Sequence, residues 1–197
     1  PLEKLSYTVF DLETTGLNPA AGDEIIQIGA VRVVNGRILT QESFDQLVDP
    51  KRSIPALGIQ IHGITPEHVR GQPTVDEVLP AFHAYARDSV LVAHNAAFDM
   101  RCLTLKENEL GLKFDQPVLD TLLLALLAQP HQASHSLDAL AERFGLVIEG
   151  RHSGLGDARV TAELLIRLIP LLAVIGIHTL ADAQAASEQS YFARVQY

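Results

Sequence analysis

Cysteine is almost absent from this sequence, since Cys102 is the only one in 197 residues. A single cysteine excludes an internal disulfide and is typical of proteins in a reducing cytoplasm, where we expect this chain to be located. Long apolar runs are missing as well. None reaches the ~18 residues that suggest a membrane span, so we expect no membrane partner. The first residues, Pro1 to Lys4, also lack the charged-then-apolar order of a signal peptide.

Basic residues are few, with 15 Lys and Arg against 24 Asp and Glu and a net charge of −9. Proteins that grip duplex nucleic acid are usually basic, because neutralising phosphates releases counterions. The charge therefore argues against a high-affinity, sequence-reading DNA binder, and no basic, aromatic-lined surface for extended strand binding is evident. An enzyme that holds a few nucleotides through metal ions stays compatible with it.

Internal repeats and low-complexity linkers are absent too. The length of 197 residues, with 47% hydrophobic and 20% charged residues, is typical of a soluble globular protein with one core. We therefore predict a single domain over residues 1–197, with its core at about 7–170 and a C-terminal helical extension at about 175–197.

The order of the hydrophobic patterns predicts an α/β fold. Strands are predicted up to Phe10, over 24–34 and over 37–48, and the hairpin dipeptide Asn35-Gly36 makes them an antiparallel meander. Two short apolar strands at 90–93 and 118–119 follow, each before a helix. These patterns predict a five-stranded mixed sheet flanked by helices. The main helices are expected at about 75–85, 97–110, 122–128, 137–144, 157–168 and 179–195.

The chain is organised around Asp11 to Gly16, D-L-E-T-T-G, which follows a run of strand-forming residues. Because side chains alternate along a strand, Asp11 and Glu13 project from the same face. Two like charges so close repel unless a proton or a cation lies between them. Their oxygen atoms suit Mg²⁺ or Mn²⁺, and Gly16 is expected to let another molecule approach the main chain. An isolated D-x-E is more often a solvated acid pair than a metal site, so the choice between the two depends on the other motifs of the chain.

A third carboxylate, Asp99, lies one helical turn beyond the predicted strand end at Ala93. In parallel-type sheets, ligands gather at the carboxyl ends of strands, which would place Asp99 near Glu13. By itself, Asp99 is better explained as an acid that stabilises a helix N-terminus.

A fourth carboxylate, Asp157, begins a predicted helix, and His152 precedes it on a loop. Gly154 and Gly156 are expected to let this loop move. The simpler explanations are a helix cap and a surface histidine. A neutral imidazole beside an attacking water is, however, a natural general base at physiological pH.

Together these residues fit a two-metal phosphoryl-transfer site. Two cations about 3.5–4 Å apart would clamp the attacking water and the leaving 3′ oxygen of a phosphodiester. The carboxylates would position the cations, and the imidazole would accept a proton. The order and spacing of the five residues carry this hypothesis, because each residue alone is weak evidence.

Three motifs in this order resemble those of the DEDDh 3′–5′ exonucleases: D-x-E-T-T-G at 11–16, H-N-x-x-F-D at 94–99 and H-x(4)-D at 152–157. That family has a ribonuclease H-like fold and includes the proofreading epsilon subunit of bacterial replicative DNA polymerase. The resemblance covers about residues 7–168. It implies metal ligands and a general base: Asp11, Glu13 and Asp157 for one ion, Asp11 and Asp99 for a second, and His152 for the proton.

The resemblance also implies contacts with the substrate, which are Thr14 and Thr15 through the main chain, Leu17 and Phe98 through base packing, and His62 and Asn95. Phe98 could instead belong to the core, and Asp120 is expected to cap a helix rather than bind metal. The sequence departs from many relatives at Gln27, where they carry Glu, and at Ser153-Gly154, where they carry an Arg-Ala-like pair.

We therefore expect a two-metal 3′–5′ exonuclease that acts on a single-stranded 3′ end, of DNA in preference to RNA, and releases nucleoside monophosphates. The same site would serve an RNA 3′-end trimmer of the oligoribonuclease or ribonuclease T kind. A non-catalytic binding module is the alternative from another class, and it predicts a missing ligand. A polymerase or a fused domain is the partner that the resemblance suggests.

Overall fold

A five-stranded mixed sheet forms the centre of the structure, a computed structural model that describes residues 1–195. The strands run in the order β3-β2-β1-β4-β5; β1 to β3 are antiparallel neighbours, and β4 and β5 run parallel to β1. The predicted meander followed by parallel strands is therefore confirmed. The strands are β1 Ser6–Thr14, β2 Ile25–Val34, β3 Arg37–Leu47, β4 Val90–Ala93 and β5 Val118–Asp120.

Helices cover both faces of this sheet. Their bounds are α1 Ala56–His62, α2 Pro66–Val69, α3 Val75–Tyr85, α4 Ala96–Thr104, α5 Glu107–Leu110, α6 Thr121–Ala128, α7 Leu137–Phe144, α8 Gly154–Val174 and α9 Leu180–Val195. Two short 3₁₀ turns occur at Leu2–Lys4 and Pro19–Ala21. The expectation of a mixed sheet flanked by helices is thus met by the described residues.

The alternation of side chains along β1 assigns its two faces. Tyr7 and Val9 lie in the core cluster that contains the buried leucines of α8, whereas Phe10 and Leu12 lie in the cluster with α3 and α4. Asp11 follows Val9 with the same parity, so it belongs to the face that α8 covers. This parity decides which helix can bring a partner to the acid pair.

Strand β1 is longer than predicted. The sequence placed the strand end near Phe10, but β1 continues to Thr14 and carries both acids within it. Asp11 lies opposite Gly29 of β2, and Glu13 lies opposite Gln27. The acid pair is therefore held by the pairing of β1 with β2, rather than by a turn.

The predicted helix at 97–110 is wrong in its continuity, because the chain forms α4 and α5 with a turn between them. The N–H of Lys106 donates to the carbonyl of Leu103, three residues back, which tightens the last turn. The Lys106 ammonium also pairs with the half-buried Glu24 carboxylate at 2.8 Å. This ion pair ties the break to the start of β2.

Helix α8 begins earlier and ends later than the predicted 157–168. Ser153 is its N-cap, with its hydroxyl accepting from the N–H of Gly156 at 3.1 Å. The helix continues because Ile169 and Leu172 keep the face that packs on the sheet buried. The predicted loop that contains His152 therefore ends at Ser153, and Gly154 and Gly156 lie in the helix.

The terminal helix α9 packs on the core through Ala183, close to its predicted position at 179–195. The division into a core at about 7–170 and an extension at about 175–197 stays a prediction, and residues 196–197 lie outside the described part. Across residues 1–195, the helices lack the combination of length and apolar character that a membrane crossing requires.

Candidate active site

The first half of the site is the carboxyl-terminal end of β1. Asp11 and Glu13 stand two residues apart on the face that α8 covers, as the alternation of the strand predicts. Asp11 is half-buried, yet its Oδ2 atom is fully enclosed and has no hydrogen-bond partner among the described residues. A buried, unpaired carboxylate oxygen is costly unless a proton or cation satisfies it.

The second half is the first turn of α8, which crosses directly over β2. A methyl group added at Gly29 would lie 2.0 Å from the main-chain carbon of Gly154, so only hydrogen atoms fit between strand and helix. The N–H of Gly154 also donates to the side-chain oxygen of Gln27 at 2.9 Å. Gly156 is equally crowded, since an added methyl would lie 2.1 Å from the carbonyl oxygen of Gly150.

These contacts correct the expected role of the two glycines. Gly154 and Gly156 do not provide a mobile loop, because both lie within the helix and allow it to pack closely. Because α8 packs so closely, Asp157 in its first turn is brought against β1.

Three carboxylates converge as a result. Asp11, Glu13 and Asp157 each offer one oxygen atom, and these atoms lie within 4.8 Å of one another. Such a set consists only of hard oxygen donors, which is the chemistry that Mg²⁺ and Mn²⁺ prefer. One of the three, Asp11, also carries the unpaired Oδ2 atom. The residues present therefore fit a divalent metal ion.

Asp99 approaches from the other side of the strand. It is buried in the first turn of α4, and its Oδ1 accepts from the N–H of Leu12 at 3.3 Å. The expectation that Asp99 lies near the acid pair is met, although Asp99 stands outside the group of three. Its role as a metal ligand stays a prediction.

Burial and mutual repulsion shift the pKa values of these acids upward. Burial is the main cause for Asp11, whose pKa is raised well above its ordinary value, and the charges of Asp99 and Glu13 add to it. Burial, followed by the charge of Asp157, raises the pKa of Glu13 to about 7. Each shift means that the metal-free site disfavours full ionisation.

His152 lies in the loop just before α8, at the edge of the same cavity. Its backbone adopts the left-handed conformation, with φ at 67°, and its N–H donates to Asp157 Oδ1 at 3.0 Å. A main-chain hydrogen bond thus joins the predicted base, His152, to the predicted ligand, Asp157. General-base catalysis by this ring stays a prediction.

The open cavity above the acids measures about 810 Å³. Its lining includes all six predicted substrate contacts, which are Thr14, Thr15, Leu17, His62, Asn95 and Phe98. Leu17 is 87% exposed at its rim, whereas Phe98 is half-buried and also packs on the core, so both interpretations of Phe98 apply.

One of the predicted contact residues, Thr15, is already engaged within the fold. The N–H of Thr15 donates to the carbonyl of Glu24, and its hydroxyl donates to Asp23 at 2.9 Å. Gly16 lines the cavity, and the Asp23 carboxylate lies 2.5 Å from where a methyl group on Gly16 would be. Gly16 therefore accommodates a neighbouring side chain of its own chain.

His62 lines the cavity and has an unpaired ring nitrogen. Its Nδ1 accepts from the N–H of Ile64 at 3.0 Å, so a neutral ring carries its hydrogen on Nε2. That Nε2 atom is buried and has no partner within residues 1–195. Burial also lowers the pKa of His62, which favours this neutral form.

Asp120 caps α6 as expected, with its Oδ1 accepting from the N–H of Leu122 at 2.9 Å. The same carboxylate accepts from the N–H groups of Asn95 and Ala96, and so fixes the start of α4. The acid therefore positions the second motif without joining the metal-ligand group.

Sequence reasoning missed Arg151 and His94. The guanidinium of Arg151 donates to Asp157 Oδ2 at 2.7 Å, inside the acidic site. His94 lies between the hydroxyl of Thr121 at 2.8 Å and the carbonyl of His135 at 2.9 Å, and it lines the cavity. A basic residue next to the predicted base was the one available clue to Arg151, since motif spacing says nothing about side-chain direction.

Comparisons of the sequence with known proteins indicate one family. A family model described as exonuclease matches residues 8–165. A DNA polymerase III subunit epsilon-like protein of Rhodobacter capsulatus is 51% identical over 181 residues, which are 91% of this chain and 26% of that protein. A PolC-type DNA polymerase III of Thermotoga petrophila is 39% identical over 183 residues, covering 92% of this chain and 13% of that protein. The chain thus spans about a quarter or less of the length of these curated relatives.

Solved structures agree with this assignment. Exonuclease X in complex with 5′ overhanging duplex DNA is 27% identical, with a TM-score of 0.74 over 92% of this chain and 99% of that one. The nuclease domain of 3′hExo, a DEDDh family member bound to rAMP, has a TM-score of 0.73 over 89% of this chain and 94% of that one. At 19% identity the latter supports the ribonuclease H-like fold alone. The chain therefore belongs to the exonuclease family, which implies the use of divalent metal ions.

Proposed function

We propose that this chain is an exonuclease domain that hydrolyses the terminal phosphodiester bond at a single-stranded DNA 3′ end and releases nucleoside monophosphates. The convergence of Asp11, Glu13 and Asp157 within 4.8 Å carries the proposal, with Asp99 buried nearby. Two Mg²⁺ or Mn²⁺ ions suit four carboxylates with no other donor type among them.

Asp11 is the carboxylate that would hold both ions, because it belongs to the group of three and because, after burial, the charge of nearby Asp99 raises its pKa most. Glu13 and Asp157 would complete the first position, and Asp99 would support the second. The chemistry that bound cations supply is stabilisation of the charge on the attacking and leaving oxygen atoms. Asp11 and Glu13 are fixed by the pairing of β1 with β2, so little reorganisation is needed.

His152 would accept the proton of the attacking water. The ring lies on the loop before α8, and its main chain is bonded to Asp157. A base tied to a metal ligand in this way stays at a fixed position relative to the reacting phosphate.

The cavity supports contacts with a terminal nucleotide. The exposed Leu17 and the half-buried Phe98 give its rim apolar surfaces on which a base could pack. His62 presents an unpaired N–H donor, and Asn95 and the main chain of Thr14 lie along the same cavity. A few contacts of this kind suit an acidic protein, which has no need for a basic binding surface.

The proposed partner is a DNA polymerase or a further domain of the same chain. The curated relatives are named as DNA polymerase III proteins, and this chain matches only a part of each. The cytoplasmic location stays a prediction from the single cysteine.

The test is nucleotide release from matched oligomers with Mg²⁺ or Mn²⁺: single-stranded DNA, duplex DNA with a paired or mismatched 3′ end, and RNA. We expect a 3′ label to leave at once as a mononucleotide, a 5′-labelled strand to shorten stepwise, and single-stranded DNA to react fastest. A chelator and the Asp11→Asn variant should each abolish release.

Three outcomes would change the conclusion. Release that survives both the chelator and Asp11→Asn would refute the metal-dependent mechanism. Faster release from RNA would identify a trimming enzyme instead. Metal binding without release from any substrate would favour a non-catalytic binding module.

A further inference from the structure

Arg151 connects the active site to helix α7. Its Nη1 donates to Asp157 Oδ2 at 2.7 Å, while its Nε donates to Asp138 Oδ1 at 2.6 Å and its Nη2 to Asp138 Oδ2 at 3.3 Å. The guanidinium therefore bridges one buried carboxylate of the site and one carboxylate whose side chain is 60% exposed. The contact with Asp138 uses two N–H groups, and the contact with Asp157 uses one.

The same guanidinium faces the predicted base. Arg151 Nη1 lies 3.1 Å from His152 Nδ1. Because arginine can only donate, Nδ1 must be the accepting nitrogen, and a neutral ring then carries its hydrogen on Nε2. In this arrangement neither ring nitrogen is free to take a proton.

Both carboxylate oxygens of Asp157 also accept hydrogen bonds. Its Oδ1 accepts from the N–H of His152, and its Oδ2 accepts from Arg151. A single cationic side chain thus engages a predicted metal ligand and the predicted base together. Its charge also offsets the repulsion within the acidic cluster, since Arg151 lowers the pKa values of both Glu13 and Asp157 against the effect of burial.

We propose that Arg151 is a positioning residue that holds Asp157 and His152 in the metal-free protein and is retained by Asp138 alone once the site is loaded. The inference rests on the proposed function, since it assumes that divalent cations bind at Asp157. A guanidinium is repelled by incoming cations at short range. Leaving Asp157 and His152 breaks the two hydrogen bonds of Nη1 and keeps the two to Asp138, so the side chain has a prepared position.

The proposal predicts opposite effects of two substitutions on metal affinity, measured by calorimetric titration of the whole chain with Mn²⁺ alone. Arg151→Met removes the competing cation and should tighten Mn²⁺ binding by about fivefold to tenfold, the effect of losing one charge-assisted contact. Asp138→Asn removes the alternative carboxylate, so Arg151 stays on Asp157 and binding should weaken by about threefold or more. A purely structural role would weaken binding in both variants.

Further variants separate this role from a general charge effect. Arg159→Met removes the same charge from the exposed side of α8, and its Mn²⁺ affinity should differ less than twofold from that of the wild type, roughly as screened surface charges do. Arg151→Lys should bind Mn²⁺ more weakly than Arg151→Met does, because lysine restores the positive charge. The double variant Arg151→Met with Asp138→Asn should match Arg151→Met, because Asp138 acts only through Arg151.

These outcomes distinguish a failure of the proposed function from a failure of the role assigned to Arg151. Wild-type protein that binds no Mn²⁺ would overturn the proposed function and this inference with it. Wild-type binding with shifts of the same sign in Arg151→Met and Asp138→Asn, or with no shift in either, would overturn only the role of Arg151.

Discussion

Asp11 is the residue on which the site depends most. It lies in the middle of a paired strand, its Oδ2 is buried without a hydrogen bond in the described structure, and burial and three neighbouring acids raise its pKa. Function and stability are therefore opposed at this position, because the charge that a cation needs is the charge that the metal-free fold disfavours.

Neutralising this charge should stabilise the metal-free protein. We expect Asp11→Asn to raise the melting temperature in chelator by about 2–4 °C, the shift that about 1 kcal/mol produces in a domain of this size. Nucleotide release should be lost in the same variant. Asp115→Asn, at an exposed loop acid, is the matched control and should leave the melting temperature unchanged. A lower melting temperature for Asp11→Asn would contradict the proposed repulsion.

His152 can be tested without disturbing its backbone. The residue has a left-handed conformation, which asparagine tolerates better than alanine does. We expect His152→Asn to fold and bind Mn²⁺ as the wild type does, but to release nucleotides about 10²–10⁴-fold more slowly, the usual contribution of a general base. A normal rate in this variant would remove His152 from the mechanism.

Glu13 should make the stability of the metal-free protein depend on pH. Its pKa is about 7 in the folded chain, above the ordinary value for glutamate, so the folded state holds a proton that the unfolded state has released. This contribution is present at low pH and is lost as the pH rises through about 7. In chelator, urea unfolding should therefore show that stability decreases between about pH 5 and 8 more steeply in the wild type than in Glu13→Gln. Parallel curves would show that Glu13 ionises normally.

At the scale of elements, the contact between β2 and α8 decides whether the site exists. Gly29 and Gly154 meet main chain to main chain, which lets the first turn of α8 lie against β1. A strand and a helix bearing side chains here would stand farther apart, and Asp157 would be withdrawn from Asp11.

Adding one methyl group at this contact is therefore a sharp test. Gly29→Ala should lower the free energy of unfolding by more than about 2 kcal/mol, because the methyl overlaps backbone atoms that cannot move independently. In Gly58→Ala, within α1, the added methyl would lie 3.1 Å from the ring of His62 and 3.7 Å from the carbonyl oxygen of Thr15, and the change should stay below about 1 kcal/mol. Equal effects of the two substitutions would contradict the close packing of α8.

Element types were predictable where the local pattern matches the packing. The hairpin at Asn35-Gly36 and the helix at 137–144 both form as expected, because turn chemistry fixes the first and the Ser136 cap begins the second. The break after Thr104 was not predictable, because it accompanies an ion pair of Lys106 with Glu24, which lies 82 residues away in the chain. The early start of α8 was missed because Gly154 and Gly156 are usually unfavourable in a helix, and only close packing explains them.

At the scale of the whole molecule, the chain brings together residues from 11 to 157 because strand parity and the α8 crossing agree. The sequence allowed the acids to be named from motif order and resemblance. It could not show that Arg151 turns inward, that Thr15 is already bonded within the fold, or that the Gly16 position is filled by Asp23. These features depend on side-chain directions, which residue spacing does not encode.

The central claim is that the acids form one site that a divalent cation stabilises. The most direct measurement is the melting temperature of the wild-type chain with increasing Mn²⁺, compared with that of Asp11→Asn. A ligand that binds only the folded state at 100 times its dissociation constant adds about 2.7 kcal/mol. The melting temperature of the wild type should therefore rise by several degrees, with little change in Asp11→Asn. A wild-type melting temperature that is the same with and without Mn²⁺ would contradict the account.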